Sequence, residues 1–389
     1  MMESTLKRTW AEIDLDALAC NYEILCGRMG PSSRFLGVVK ADAYGHGAVQ
    51  VSRALEELGA AYLAVSSIDE AREIRSAGIR LPILQLGLTP AEQAGQLLAH
   101  RVAQAVWSEE SALSFSREAE RLGGRIKVHI KLDTGMSRLG FLCGEEQFSC
   151  SLEAICRVCA MPGLEPEGIF THFAVSDEVG EGSRAYTLSQ HRQFEVMLRA
   201  LEARGVGFSF RHCANSGAVV GYPQFGHDLF RPGIITYGAG HQAQELGLRP
   251  VMALKSVVGA IRTLPADMSI SYGCTFRTER PSRVGVLPIG YADGLHRTLS
   301  NRWRVWTPHG FAPILGRICM DMCMVDLTDL PQIREGSEVE IYGPHNSVTE
   351  AAQLAGTIAY EMTCAVSRRV PRVYLRGGRE VARELMLRG

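Results

Sequence analysis

From Phe35 to about Gly240 short apolar runs alternate with stretches whose apolar residues recur at helical spacing, the pattern of a parallel sheet wrapped by helices. Eight strands are predicted: LGVV (36–39), YLAVS (62–66), PILQLG (82–87), VAQAVW (102–107), IKVHIKLD (126–133), EGIFTHF (167–173), FSFRHCA (208–214) and LFRPGIITYG (229–238). The first of them lacks polar alternation, as a strand covered on both faces does. Amphipathic patterns such as SIDEAREIRSAG and LSQHRQFEVMLRALEARG stand between most of these runs. Eight such units closing on themselves predict an α/β fold of the (β/α)8 TIM-barrel type. An open doubly wound sheet is the alternative, but no G-x-G-x-x-G follows the first strand.

After about Gly240 the helical period mostly stops. Runs of β character take over, VMALKSVVGAI, SRVGVLPIG, PILGRICMDMCMVDL and SEVEIYG, separated by Gly and Pro turns. They predict a second, C-terminal, mainly-β domain, as expected of 389 residues, which exceed one compact core. Trp10 to Asp14 also has strand character, and a short helical pattern, VTEAAQLAG, precedes Tyr360.

Composition narrows the partners. Hydrophobic residues make up 46% and charged residues 21%, with a net charge of −1, so nothing steers the chain toward nucleic acid or an anionic membrane. No apolar run approaches the roughly 18 residues of a membrane span, and a small-molecule partner is expected. The 11 cysteines are odd in number, and MMESTLKRTW lacks the apolar core of a signal peptide, which predicts a cytoplasmic location. Cys156 and Cys159 fall in a helical pattern with no second pair at zinc spacing, so they read as structural and no metal is expected.

Candidate chemistry starts at Lys40, which ends the apolar run Phe35 to Val39. Gly45 and Gly47 around His46 allow a turn before a helix at Ala48. Catalytic groups collect at strand ends in α/β folds. A partly sheltered amine there can be neutral and form a Schiff base with an aldehyde, although a lone lysine more often snorkels to solvent. Phosphate sites in barrels often form after strands seven and eight. Here those loops carry Asn215-Ser216-Gly217-Ala218 and Arg231-Pro232-Gly233-Ile234. Ser216 offers a hydroxyl and Gly233 a backbone N–H. The same residues could serve as a helix N-cap and a turn.

The stretch VKADAYGHG resembles the signature of the alanine racemases, pyridoxal phosphate enzymes of the barrel type (fold type III). The resemblance runs from Trp10 to RRVPRVY and implies that Lys40 carries pyridoxal 5'-phosphate. By the same likeness Tyr44, Tyr360, Asn215, Ser216, Gly233 and Ile234 hold the cofactor, and Arg231 faces its pyridine nitrogen. An arginine donates a hydrogen bond to that nitrogen without protonating it. His172 would lie against the ring and link Arg231 to a catalytic tyrosine, and Arg138 would lie near the phenolic oxygen. Lys131 matches a lysine that is carbamylated in several members. Ser271-Tyr272-Gly273 matches the motif of the second base, so Lys40 and Tyr272 would work on opposite faces. Tyr291, Arg297 and Arg317 match the entrance, with Asp177, Ile358 and Val175, and Met320 joins Arg138 at the substrate carboxylate. Val175 in FAVSD and Cys213 in HCANS depart from the family pattern.

The implied domains are 13–240, the barrel, and 241–389 joined by an N-terminal strand, 1–12. The implied activity is two-base interconversion of L- and D-alanine in a cytoplasmic homodimer with shared active sites, supplying D-alanine for peptidoglycan. Alternatives are a racemase of serine or another small amino acid, and a related two-domain decarboxylase. The decarboxylase would show a catalytic cysteine in place of the motif's tyrosine, and Cys274 lies close to Tyr272. A single-domain pyridoxal phosphate carrier would lack both the β domain and Tyr272.

Overall fold

The computed structural model describes residues 8–385; residues 1–7 of the expected N-terminal strand lie outside them. It contains two compact units, one of residues 22–43 and 48–236, the other of the residues up to 21, 44–47 and those from 237 onward. β1 (Thr9–Asp14) belongs to the second unit.

The first unit is built on parallel strands: β2 (Arg34–Val38), β3 (Tyr62–Val65), β4 (Ile83–Gln85), β5 (Val102–Val106), β6 (Ile126–Asp133), then, beyond the short β7 (Phe141–Leu142), β8 (Leu164–Phe170), β9 (Phe210–His212) and β10 (Leu229–Phe230). Hydrogen bonding runs in the order β10-β2-β3-β4-β5-β6-β8-β9, with β7 attached to β6. These eight strands form the expected TIM barrel. The seam between β9 and β10 closes just past the strand ends, where Arg231 N–H donates to the Ala214 carbonyl at 2.8 Å. Strands β3, β4 and β5 are buried along their whole length, because helices cover their outer faces. The predicted helices are present at Ile68–Ser76, opened by a Ser67–Glu70 capping box, and at Glu181–Ala203.

The third and seventh barrel strands are shorter than the sequence expectation, Ile83–Gln85 and Phe210–His212, and the sixth and eighth differ from it where they meet the site. The sixth barrel strand stops at Phe170, so His172 lies beyond it rather than ending it. The Thr171 carbonyl that would continue the ladder accepts from Arg231 Nη2 at 2.7 Å instead. The eighth shrinks from LFRPGIITYG to Leu229–Phe230, because Pro232 has no N–H for a ladder, and Ile234–Tyr237 forms a 3₁₀ turn.

The second unit holds β11 (Met252–Val257), β12 (Ala260–Leu264), the hairpin β13 (Ser269–Ile270) and β14 (Phe276–Arg277), β15 (Ser282–Leu287), β16 (Arg304–Thr307), β17 (Gly310–Leu315), β18 (Cys323–Asp326), β19 (Glu338–Tyr342), β20 (Arg372–Arg376) and β21 (Arg379–Glu384). Ten strands make one sheet, β12-β15-β18-β17-β16-β19-β11-β1-β20-β21, so β1 pairs antiparallel with β11 and parallel with β20. Trp10, Leu254, Val305 and Val339 of this sheet are buried. Asp293, fully buried, is bridged by Arg8 at 2.9 Å and Arg369 at 2.7 Å, which offsets its desolvation.

Candidate active site

Lys40 stands half-buried past the end of β2, at the C-terminal edge of the barrel. The loop expected there is a tight left-handed turn, Lys40–Gly45, in which Ala41, Asp42, Ala43 and Tyr44 have φ of 52, 55, 51 and 54°. Each such L-residue costs about 1–2 kcal/mol. Two carboxylates hold the turn: Glu70 Oε1 accepts from Ala41 N–H at 2.7 Å, and Asp42 Oδ1 accepts from Ala48 N–H at 2.8 Å.

Inside the barrel one hydrogen-bond chain has a fixed direction. Arg231 Nη1, always a donor, lies 2.7 Å from His212 Nδ1. His212 must then donate through Nε2 to His129 Nδ1 at 2.8 Å, which leaves His129 Nε2–H facing Glu167 Oε2 at 3.3 Å. Burial lowers the pKa of both histidines, so they are neutral. Burial also pushes Arg231 down to about 10, leaving it charged at neutral pH. For Glu167 burial works upward, but hydrogen bonds from His129, Lys127 and Tyr62 outweigh it and hold the carboxyl at about 2. His172 Nδ1 is 3.5 Å from Arg231 Nη2, a longer contact than that of His212. Burial, then the charges of Arg231, Lys131, Arg138 and Lys40, keep His172 neutral.

Lys131 points inward from β6, 4.9 Å above the Phe170 ring, and burial with the Arg231 and Arg138 charges lowers its pKa to about 7. Arg138 is exposed on a loop shaped by Asp133 Oδ1, which accepts from Gly135 N–H at 2.9 Å and Ser137 N–H at 3.0 Å. After β9, Asn215 caps Ser216–Gly221 and accepts from Ser176 Oγ at 2.7 Å. A Cβ on Gly217 would meet Asp177 N at 2.6 Å, so only glycine fits where the Val175–Asp177 loop crosses. Ser216 Oγ accepts from Gly233 N–H at 2.8 Å, which ties the seventh loop to the eighth next to Ile234.

In the second unit Tyr44 is buried with its ring 5.2 Å from Tyr237 and 5.7 Å from Tyr360. Burial, then Tyr360 and Cys364, raise its pKa, so the phenol stays protonated as a donor. Tyr272 is 69% exposed on the turn between β13 and β14, where Ser271, Gly273 and Cys274 have φ of 64, 72 and 49°. A Cβ at Gly273 would touch the Arg317 guanidinium at 2.8 Å, and Ser271 Oγ donates to the Arg317 carbonyl at 2.5 Å. Tyr291 N–H donates to the Cys319 carbonyl and Ala292 N–H to that of Met320, both at 3.0 Å, so Tyr291 and Met320 are neighbours. Arg297 and Ile358 are exposed.

The sequence reading missed His212, His129, Glu167 and Glu70. The first three carried one signal, polar residues within runs that must face a barrel interior.

The donors fit pyridoxal phosphate, a cofactor that brings an aldehyde and an anion. The amine stands at a strand end, and the Ser216 hydroxyl, which already accepts from Gly233, keeps its own hydrogen for an anion. A barrel with an amine at a strand end, a hydroxyl free to donate to an anion and a buried guanidinium able to donate to a ring nitrogen is of the class that binds this cofactor. Family models narrow the class: "Alanine racemase, N-terminal domain" matches residues 13–241 and "Alanine racemase, C-terminal domain" residues 251–374. The chain belongs to the alanine racemase family. It is 41% identical to an alanine racemase of Clostridium perfringens over 96% of its own length and 97% of that protein's. Among solved structures, the alanine racemase of Clostridium difficile 630 superposes with a TM-score of 0.93 at 37% identity, covering 99% of this chain and 100% of that one. The alanine racemase of Bacillus anthracis with bound L-Ala-P gives 0.87 at 34% identity, covering 98% and 99%.

Proposed function

We propose that this chain interconverts L- and D-alanine, with Lys40 and Tyr272 as the two proton-transfer groups. Pyridoxal phosphate, when bound, supplies the electron sink that acidifies the substrate Cα–H. Lys40 holds the cofactor and moves a proton at Cα on one face, and Tyr272 does so on the other. Arg231 donates a hydrogen bond to the ring nitrogen. The His212–His129–Glu167 chain supports this role, because His212 accepts from the guanidinium and holds it in place. Ser216, Asn215, Gly233 and Ile234 bind the phosphate with Tyr44 and Tyr360. Arg138 and Met320 orient the substrate carboxylate, and Tyr291, Arg297, Arg317, Asp177, Ile358 and Val175 line its entrance.

Lys131 is proposed to carry a carbamate. With its pKa lowered to about 7, a large fraction of the amine is neutral and able to add carbon dioxide. The resulting anion would pair with Arg138. The product would serve cell-wall synthesis in the cytoplasm.

The observation that carries the reading is Lys40 at the end of β2, held by the turn that Glu70 and Asp42 brace. Borohydride reduction of the holoenzyme followed by peptide mapping should place the label on Lys40, and Lys40→Ala should abolish both label and turnover. A label on Lys127 or Lys131 would sink the assignment. D-Alanine formed from L-alanine without carbon dioxide release separates a racemase from a decarboxylase.

A further inference from the structure

We infer that His191, Cys213 and His227, with Glu195 beside them, form a site for a thiophilic divalent cation of the zinc class that staples the seam where the barrel closes. One ligand atom from each of the three residues lies within 4.8 Å of the others. A tetrahedral zinc ion with bonds of about 2.0–2.3 Å sets its ligands roughly 3.3–3.8 Å apart, so small side-chain rotations complete the site.

The backbone positions explain what such an ion would do. Cys213 directly follows β9, and His227 shortly precedes β10. These two strands share no ladder, being three and two residues long. Their seam rests on the Arg231 to Ala214 bond at 2.8 Å and on Arg211, whose Nε donates to Asp228 at 2.9 Å. His191 and Glu195 are one turn apart on the helix Glu181–Ala203, so an ion held by all these groups would join both sides of the seam to that helix.

The chemistry of the cluster points to a metal. His227 Nε2 is buried and makes no hydrogen bond among the described residues. Glu195 Oε1 lies 3.2 Å from it and 3.6 Å from His191 Nε2, close enough for attraction but off the N–H line of His227. Two imidazoles, one thiol and a carboxylate are a donor set that favours zinc over magnesium or calcium. Cys213 Sγ donates to the Phe225 carbonyl at 3.3 Å, and the His191 ring stacks on Phe225 at 3.8 Å, so both face the same space. Glu195 is 29% exposed and gives an ion its path from solvent. On binding, the Cys213 S–H bond breaks, a sulfur–metal bond forms and the proton leaves to water; with Glu195 ionised the site is neutral. No electron changes hands. Lys40 and Ser216 take no part.

The test uses full-length protein stripped by a chelator and given cobalt(II), then zinc(II). One cobalt per chain should bind, with the visible bands of tetrahedral geometry and a sulfur-to-cobalt band in the near ultraviolet. Zinc should bleach both and raise the melting temperature by roughly 3–6 °C at a hundredfold excess over its dissociation constant. Cys213→Val and His227→Gln should lose the cobalt spectrum and the zinc shift while melting cooperatively in chelator, and Cys156→Ser should keep both. Absence of stoichiometric binding, or a spectrum that survives Cys213→Val, would overturn the proposal.

Discussion

Arg231 brings a full positive charge into the barrel with no carboxylate paired to it among the described residues. Its partners are His212, the carbonyls of Thr171 and Cys213, the latter at 3.2 Å, and, at 3.5 Å, His172. The hydrogen-bond chain that starts at Arg231 ends, beyond two neutral imidazoles, at Glu167, which is ion-paired with Lys127 at 2.6 Å. That carboxyl gives a pH prediction. Its folded pKa of about 2 lies below the unfolded carboxylate value of about 4.3, so its contribution is complete above about 4.3 and is lost as pH falls through about 2. Discounted for solvent reaching Lys127, it is on the order of 2 kcal/mol. Glu167→Gln should therefore flatten the acid limb of a plot of urea midpoint against pH between those values. An unchanged limb would mean that the chain contributes nothing to stability. Lys40, Ser216 and Arg231 are legible in the sequence because each sits in a local motif. Glu167 is not, since it meets His129 across 38 positions and His129 meets His212 across 83.

At the scale of elements, largely apolar runs locate β3, β4 and β5, which are buried along their whole length, and β6 is found end to end although IKVHIKLD alternates apolar and polar residues. Two of the failures lie where a strand meets the site. At Phe170 and Phe230 the backbone groups that would extend a ladder go to Arg231 or are missing at Pro232. The left-handed turn after Lys40 is invisible for another reason: Ala41-Asp42-Ala43-Tyr44 contains no glycine or asparagine to announce positive φ. Such strain persists only where the surroundings enforce it. Ala41 is exposed, so Ala41→Gly loses little packing. It should relieve about 1–2 kcal/mol of strain against about 0.5–1 kcal/mol of chain entropy, a net gain of about 0.5–1 kcal/mol by chemical denaturation. Glu70→Gln, which weakens the brace on Ala41 N–H, should cost stability and lower turnover. Turnover equal to that of the unmodified enzyme would show that the brace does not position Lys40.

For the whole molecule, two compact units each carry one proposed base, Lys40 in one and Tyr272 in the other. We propose a homodimer in which each site takes its lysine from one subunit and its tyrosine from the partner. Lys40→Ala and Tyr272→Ala chains, each nearly inactive alone, should then complement when expressed together. Random pairing makes about half the dimers mixed, each with one site holding both bases, so roughly a quarter of full activity should return. Zero recovery, with mixed dimers demonstrated by differential tags, would exclude shared sites. Pattern alone shows the two units, through the switch from helical period to β-type runs after Gly240. It does not show that residues 44–47, in the midst of barrel sequence, group with the β-rich unit. There Gly45 and Gly47 fit because a Cβ would strike the Thr363 carbonyl oxygen at 2.2 Å or the Tyr374 hydroxyl at 1.8 Å.

The turn after Lys40 has a stereochemical consequence. Positive φ is the relaxed backbone of an amino acid of the opposite hand, so the residues from Ala41 to Tyr44 are folded as D-residues would be. A semisynthetic chain with D-alanine at position 41 escapes the strain of the L-residue and also the entropy cost of glycine. Its denaturation midpoint should exceed that of Ala41→Gly, which should exceed that of the natural chain. If the natural chain is instead the most stable of the three, the turn is not strained.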